Sequence, residues 1–142
     1  MEREALEKIA GSTLDAALEV HRALGPGLLE NAYEMALCHE LSLRGLTFER
    51  QKAMGPHYKG VKLDCGYHVD VVVAGELFLE LKSCEQLAAI HAQQLLNYLK
   101  LGDRRLGLLI NFNVRLLKHG IKRIVNGLEE NPLAETCDLK TP

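Results

Sequence analysis

The chain never sets two cysteines in a Cys-x2-Cys pair; Cys38, Cys65, Cys84 and Cys137 stand far apart in its 142 residues. That spacing excludes a disulfide framework or a zinc knuckle, and the nearest approach to a metal pair, Cys65 with His68, is weak. No apolar run approaches the roughly 20 residues that a membrane span requires. Met1-Glu2-Arg3-Glu4 is acidic and lacks the core of a signal peptide, so a cytoplasmic protein without a membrane partner is expected. Tryptophan is absent and other aromatics are few, but an apolar share of 47% and a charged share of 25% are those of an ordinary soluble globule. No repeat or low-complexity linker divides the chain. The length suits one domain with a real core, expected over residues 1–128, followed by a polar, loose tail over 129–142.

A strongly basic balance is also missing. A net charge of −2 argues against coating nucleic acid by bulk electrostatics. The distribution says more than the sum: Lys100, Arg104, Arg105, Arg115, Lys118, Lys122 and Arg123 face a single acid, Asp103, whereas the first fifty residues are net acidic. Such a segment is either a solvated face or a local surface that tracks a phosphate backbone.

What is present begins with helical periodicity. Ile9, Thr13, Ala16, Val20 and Leu24 predict one stripe of a helix from Glu4 to Leu24, broken by Gly25-Pro26-Gly27. Leu29, Tyr33, Ala36, Leu37 and Leu41 predict a second helix from Leu29 to Arg44, with Gly45 where a left-handed cap belongs. Strands are then predicted over Thr47–Lys52, His57–Leu63, Tyr67–Val73 and Leu77–Lys82, as a meander. Glu85 to Leu101 returns to helical period. Leu106 to Phe112 reads as a strand buried on both faces and, across the helix, parallel to Leu77–Lys82. Ile121 to Val125 is left as a short strand or helix.

The most informative segment is Val69 to Lys82. Its period-2 pattern makes a hairpin with aliphatic faces, and a three-residue turn Ala74-Gly75-Glu76 would set Asp70 opposite Glu80, with Lys82 two residues on along the same face. Facing carboxylates repel unless something positive lies between them. Either Lys82 pairs with both on a solvated face, worth about 0–1 kcal/mol per pair, or a hard divalent ion such as Mg²⁺ or Mn²⁺ joins them. Val72 and Phe78 on the charged face favour partial cover. Glu30 suits the first turn of the second helix through the macrodipole, yet shares a face with Tyr33 and Leu37 and so is expected to point inward. His91, Gln94 and Tyr98 line one stripe of the later helix, either to reach a substrate phosphate or base or merely to rim it.

Taken together, Gly27-x2-Glu30-x2-Tyr33, Asp70, Glu80-Leu81-Lys82, Gln94-x3-Tyr98 and Gly107-Leu108-Leu109-Ile110-Asn111-Phe112 resemble the GxxExxY proteins, a family placed in the PD-(D/E)xK nuclease superfamily near the RecB-like nucleases. The likeness runs from about Ile9 to Asn126. It implies an α/β (α+β) fold with a restriction-endonuclease-like αβββαβ core, a mixed central sheet flanked by helices. It further implies Asp70 and Glu80 as ligands of Mg²⁺ or Mn²⁺, the Leu81 backbone carbonyl as a further donor, Lys82 to orient or activate water, and Glu30 to complete or buttress the site. Tyr33, His91, Gln94 and Tyr98 become substrate-binding residues. The usual proline before the aspartate is replaced by Val69. The implied activity is metal-dependent hydrolysis of nucleic-acid phosphodiesters, with DNA the expected substrate. Two other readings stand beside it: a non-catalytic nucleic-acid- or partner-binding module that has kept the fold, and a purely structural scaffold. Self-pairing into a homo-oligomer is open to a small domain with aliphatic helices.

Overall fold

A computed structural model describes residues 1–128; the loose tail expected over 129–142 lies outside the described residues. Helix α1 (Arg3–Leu24) buries Leu6, Ala10, Thr13, Ala16, Ala17, Val20 and His21. The small side chains of this stripe let α1 lie close on α2 (Glu30–Leu43) and on the sheet. Two expected stripe members lie outside that stripe. Leu24 is 42% exposed and, at the start of α2, Leu29 is 82% exposed, because the buried stripes run through Leu6 and Ala10 and through Tyr33 and Leu37 instead. Gly25 ends α1 at φ 69°, donating its N–H to the His21 carbonyl at 2.8 Å. Gly45 follows α2 at φ 74°, as a left-handed cap requires.

Five strands form the main sheet: β1 (Phe48–Ala53), β4 (His68–Val73), β5 (Leu77–Lys82), β6 (Leu106–Asn111) and β7 (Ile121–Val125), in the order β1-β4-β5-β6-β7. Helix α3 (Ala89–Gly102) connects β5 to β6, and these two run parallel while the other neighbours are antiparallel. The segment Ile121–Val125, open between strand and helix, is therefore a strand. The four-strand meander is not formed. The expected strand His57–Leu63 is instead a separate two-stranded ribbon, β2 (His57–Tyr58) and β3 (Val61–Lys62), and β1 pairs directly with β4. Its cause is local: Lys59 and Gly60, at φ 48° and 81°, make a two-residue hairpin turn in mid-segment, and all four strand residues are exposed, with no face to bury.

The sheet is covered on both faces. Val71, Val73, Leu77, Leu79 and Leu81 join the helices α1 and α2, whereas Val72, Phe78 and Leu109 join Leu95 and Leu99 of α3. Strand β6 is buried along its whole length, which explains its uninterrupted aliphatic run. None of the helices among the described residues is long and apolar enough to cross a membrane.

Gly120 closes a 3-10 turn (Leu117–Gly120) that leads into β7, and a Cβ there would fall on the backbone carbonyl oxygen of Asn111. Neither backbone can yield without shifting the β6–β7 pair. Gly120→Ala is expected to destabilise the fold by about 1–3 kcal/mol, read as a lower urea midpoint with an unchanged slope.

Candidate active site

The β4–β5 turn is the three-residue Ala74-Gly75-Glu76 expected, since Val73 pairs with Leu77. Ala74 and Gly75 take φ 53° and 71°. Arg104 fastens the turn, donating to the Gly75 carbonyl at 2.7 Å and pairing with Glu76 at 3.3 Å. The register Val71↔Leu79, Val72↔Phe78, Val73↔Leu77 leads to Asp70 opposite Glu80, but there the ladder stops. Side chains take over from backbone: the Leu81 N–H donates to Asp70 Oδ2 at 2.8 Å, and the Asp70 N–H donates to Glu80 Oε1 at 3.2 Å.

The other edge of β4 is interrupted at the same level. Arg50↔Val71 and Lys52↔Val69 are paired, but Gln51 between them is not, and it sits at φ 50°, a conformation that L side chains rarely adopt. From there its amide donates to Asp70 Oδ1 at 3.2 Å and to Glu34 Oε1 at 2.8 Å. Glu34 is buried in α2 and held by Arg50 at 2.8 Å. Strand β4 also changes face here: Val69 packs with the α3 cluster, while Val71 and Val73, of the same parity, pack under α1 and α2. Asp70 thus stands at a kink, its two carboxylate oxygens bonded to β5 and to β1.

Electrostatics follow from this geometry. Glu80 is only 8% exposed, and burial, reinforced by the neighbouring Asp70 charge, pushes its carboxyl up to about 8 against the Asp70 N–H and Lys82, which favour ionisation. Asp70 is raised too, first by burial, with the Leu81 N–H and Gln51 opposing and Glu34 adding to the rise. Lys82, half-buried at the end of β5, forms no ion pair within 4 Å among the described residues and acts on both carboxylates only from farther off. The reading of a solvated face on which Lys82 pairs with both acids therefore fails on two counts. Glu80 is buried and the amine is unpaired.

The other expected site residues divide. Glu30 is exposed on the first turn of α2 rather than pointing inward, although its charge still reaches Glu80. No group of three or more His, Cys, Asp or Glu side chains able to hold a metal is assembled among the described residues, so the structure brings together two carboxylates and leaves Glu30 at the rim. Tyr33 is a correction. It is fully buried, stacks on Phe112 at 4.5 Å, donates to the Gly25 carbonyl at 2.5 Å and accepts the Leu28 N–H at 3.1 Å. It clamps the loop that delivers Glu30 and has nothing left for substrate. Tyr33→Phe is expected to cost about 1–2 kcal/mol of stability through these two lost bonds, measured by urea denaturation.

His91 uses one ring nitrogen locally, its Nδ1 accepting the Ala88 N–H at 3.0 Å at the start of α3. This satisfies one of the orphan donors of a helix end. Gln94 and Tyr98 do line a groove beside the acidic pair, together with Tyr67 and Pro56. The basic segment is not one surface, because Arg104 is spent on the hairpin turn and Arg123 on Glu7 of α1.

Sequence reasoning missed Glu34, Arg50, Gln51 and Asn111. The run Glu49-Arg50-Gln51-Lys52 is four polar residues in a strand, and that break in alternation was the available signal. Asn111 stood in a segment that carries the family resemblance, but with no role of its own: nearly fully buried, it bonds both the N–H and the carbonyl of Cys84, at 3.1 and 2.9 Å, pinning the chain as it leaves Lys82.

A mixed sheet whose central hairpin presents an aspartate, a glutamate and a lysine at the splayed end of two strands is the core of a restriction-endonuclease-like nuclease. The family model described as PD-(D/E)XK nuclease superfamily matches residues 7–124, and the chain belongs to that superfamily. No curated protein and no solved structure matches it.

Proposed function

We propose that the protein is a divalent-metal-dependent nuclease of the GxxExxY group, near the RecB-like enzymes, that hydrolyses nucleic-acid phosphodiester bonds. The single observation that carries this reading is the interlocked pair Asp70 and Glu80, the glutamate buried and the aspartate half-buried, with no ion pair to either among the described residues and the Lys82 charge acting on both from farther off. Nothing in core packing calls for such an arrangement.

The donor set fits a hard cation. Carboxylate oxygens suit Mg²⁺ or Mn²⁺, and Mg²⁺ commonly takes only one or two of them. Asp70 and Glu80 would hold the ion, with the Leu81 carbonyl as a further donor and Glu30 buttressing from the rim. When bound, the metal supplies Lewis acidity toward a phosphoryl oxygen and a nucleophilic water. The chain supplies the rest: Gln51 and the Leu81 N–H fix the two Asp70 oxygens, so the aspartate is oriented before substrate arrives. Lys82 places a positive charge where negative charge grows on the reacting phosphate.

The test is incubation of purified protein with labelled single-stranded and duplex DNA and RNA in Mg²⁺, Mn²⁺ or chelator. Cleavage is expected with metal alone, and Asp70→Asn is expected to abolish it. Cutting that survives chelator, or an equally active Asp70→Asn variant, overturns the assignment. Binding without any cutting favours the non-catalytic module.

A further inference from the structure

Next to the acidic pair lies a groove of about 360 Å³ lined by Pro56, Tyr67, Gln94, Tyr98, Lys100 and Leu101. That is within the roughly 300–1,000 Å³ of ordinary ligand pockets. Its walls are mainly apolar, with the Gln94 amide and the Lys100 ammonium among the polar groups that line it. Tyr98 is rooted in the α3-side cluster with Val72 and Phe78, and Tyr67 tilts against it, ring centroids 6.3 Å apart at 59°. Tyr67 remains 50% exposed. The Gln94 amide and the Tyr67 and Tyr98 hydroxyls have no hydrogen-bond partner among the described residues. Tyr98 packs against the cluster that holds Val69 and Val72, on either side of Asp70 in sequence, and Phe78, two residues before Glu80, which sets the groove beside the hairpin that carries the carboxylates.

Building on the nuclease reading, we infer that this groove takes one unpaired base of a single-stranded nucleic acid, stacked on the open face of Tyr67, while the adjoining phosphate faces Asp70, Glu80 and Lys82. Three features select this occupant. An aromatic ring with one face rooted and a second ring left open is a stacking platform, and stacking accepts any base because every base has a π face. The apolar walls with unsatisfied amide and hydroxyl groups match a flat heterocycle with polar edges. Lys100, at the groove, and Lys62, in the adjoining hollow that shares Tyr67, give a cationic margin suited to a phosphate backbone. A base held within a duplex has both faces covered by its neighbours and cannot enter. Tyr67 is thereby a substrate-binding residue, placed just before β4, where the sequence pattern gave it only as the first residue of a strand.

The experiment measures binding by fluorescence polarisation in chelator, where metal-dependent cleavage is silent, using a labelled oligothymidine strand, an abasic strand of equal length and a duplex. The oligothymidine is expected to bind about tenfold or more tightly than the abasic strand, as base stacking on an aromatic implies. It is also expected to outbind the duplex. Tyr67→Ala should erase the preference for bases, while Tyr67→Phe keeps it; the abasic comparison on the unaltered protein needs no variant to fold. Equal binding of the oligothymidine and abasic strands, tighter binding of duplex, or no binding at all overturns the inference. Because no cutting is measured, this result is independent of whether Asp70→Asn abolishes cleavage, and the two readings fail separately.

Discussion

Lys82→Ala is expected to lower the rate of metal-dependent cleavage by about 100- to 1,000-fold, the usual loss when one preorganised charge-stabilising group is removed. The same change is expected to leave the fold nearly untouched. Lys82 forms no ion pair within 4 Å among the described residues, so its removal strands no partner. It has a second effect, however. The Lys82 charge favours ionisation of both Asp70 and Glu80, so the alanine variant holds these carboxyls protonated to higher pH and binds metal more weakly near neutrality. Steady-state rates at saturating Mg²⁺ and calorimetric metal affinity separate the two contributions. Lys82→Arg keeps the charge but not the compact ammonium, and a partial rescue is expected. Unchanged cleavage by the alanine variant would remove the lysine from the reaction.

The second large effect concerns stability. Glu80 has a carboxyl raised to about 8 in the folded protein from an ordinary 4.5. The folded state therefore holds this proton more tightly than the unfolded chain does. Its stabilising contribution is complete below about pH 4.5 and is lost as pH rises through about 8. Asp70 is shifted in the same direction and adds to the slope. In chelator the protein should thus weaken steadily from pH 5 to about pH 8 and level off above it. Glu80→Gln stays neutral and its carbonyl can still accept the Asp70 N–H. It is expected to be the more stable protein at pH 9, by an amount on the order of a few kcal/mol, and to have lost its metal and its activity. Urea denaturation at pH 5, 7 and 9 measures this; parallel curves for the two proteins would contradict it. Such a trade, in which an unfavourable buried charge is kept for chemistry, is common at functional sites.

The sequence carried the sheet further than the site. Aliphatic residues at every second position of Val69–Val73 and Leu77–Leu81, with glycine in the turn, were enough to set the hairpin register and to place Asp70 against Glu80. The parallel β5–β6 pair was legible from an intervening helix and an aliphatic run. Periodicity failed where a residue's face depends on a distant partner. Tyr33 and Glu34 lie side by side on α2; spacing put the tyrosine on the inner stripe, the family resemblance implied a substrate-binding role for it, and neither pointed to the glutamate. The fold buries both, stacking Tyr33 on Phe112 and turning Glu34 toward Arg50 and Gln51. Arg123 looked like part of a basic surface until its partner, Glu7, 116 residues earlier, was known. The kink at Asp70 was equally hidden, because an alternating pattern predicts that Val69 shares the face of Val71, and it does not.

One consequence concerns portability. A fourteen-residue loop-and-ribbon carrying Asp70, Glu80 and Lys82 looks like a cassette that might be transplanted into another scaffold. Yet one Asp70 oxygen is steadied from outside it, by a left-handed residue on the neighbouring edge strand that is itself tethered to a helix. A graft of the ribbon alone would arrive with every ionisable group in place and its aspartate free to swing, so that the smallest transferable unit includes the edge strand and the helix as well.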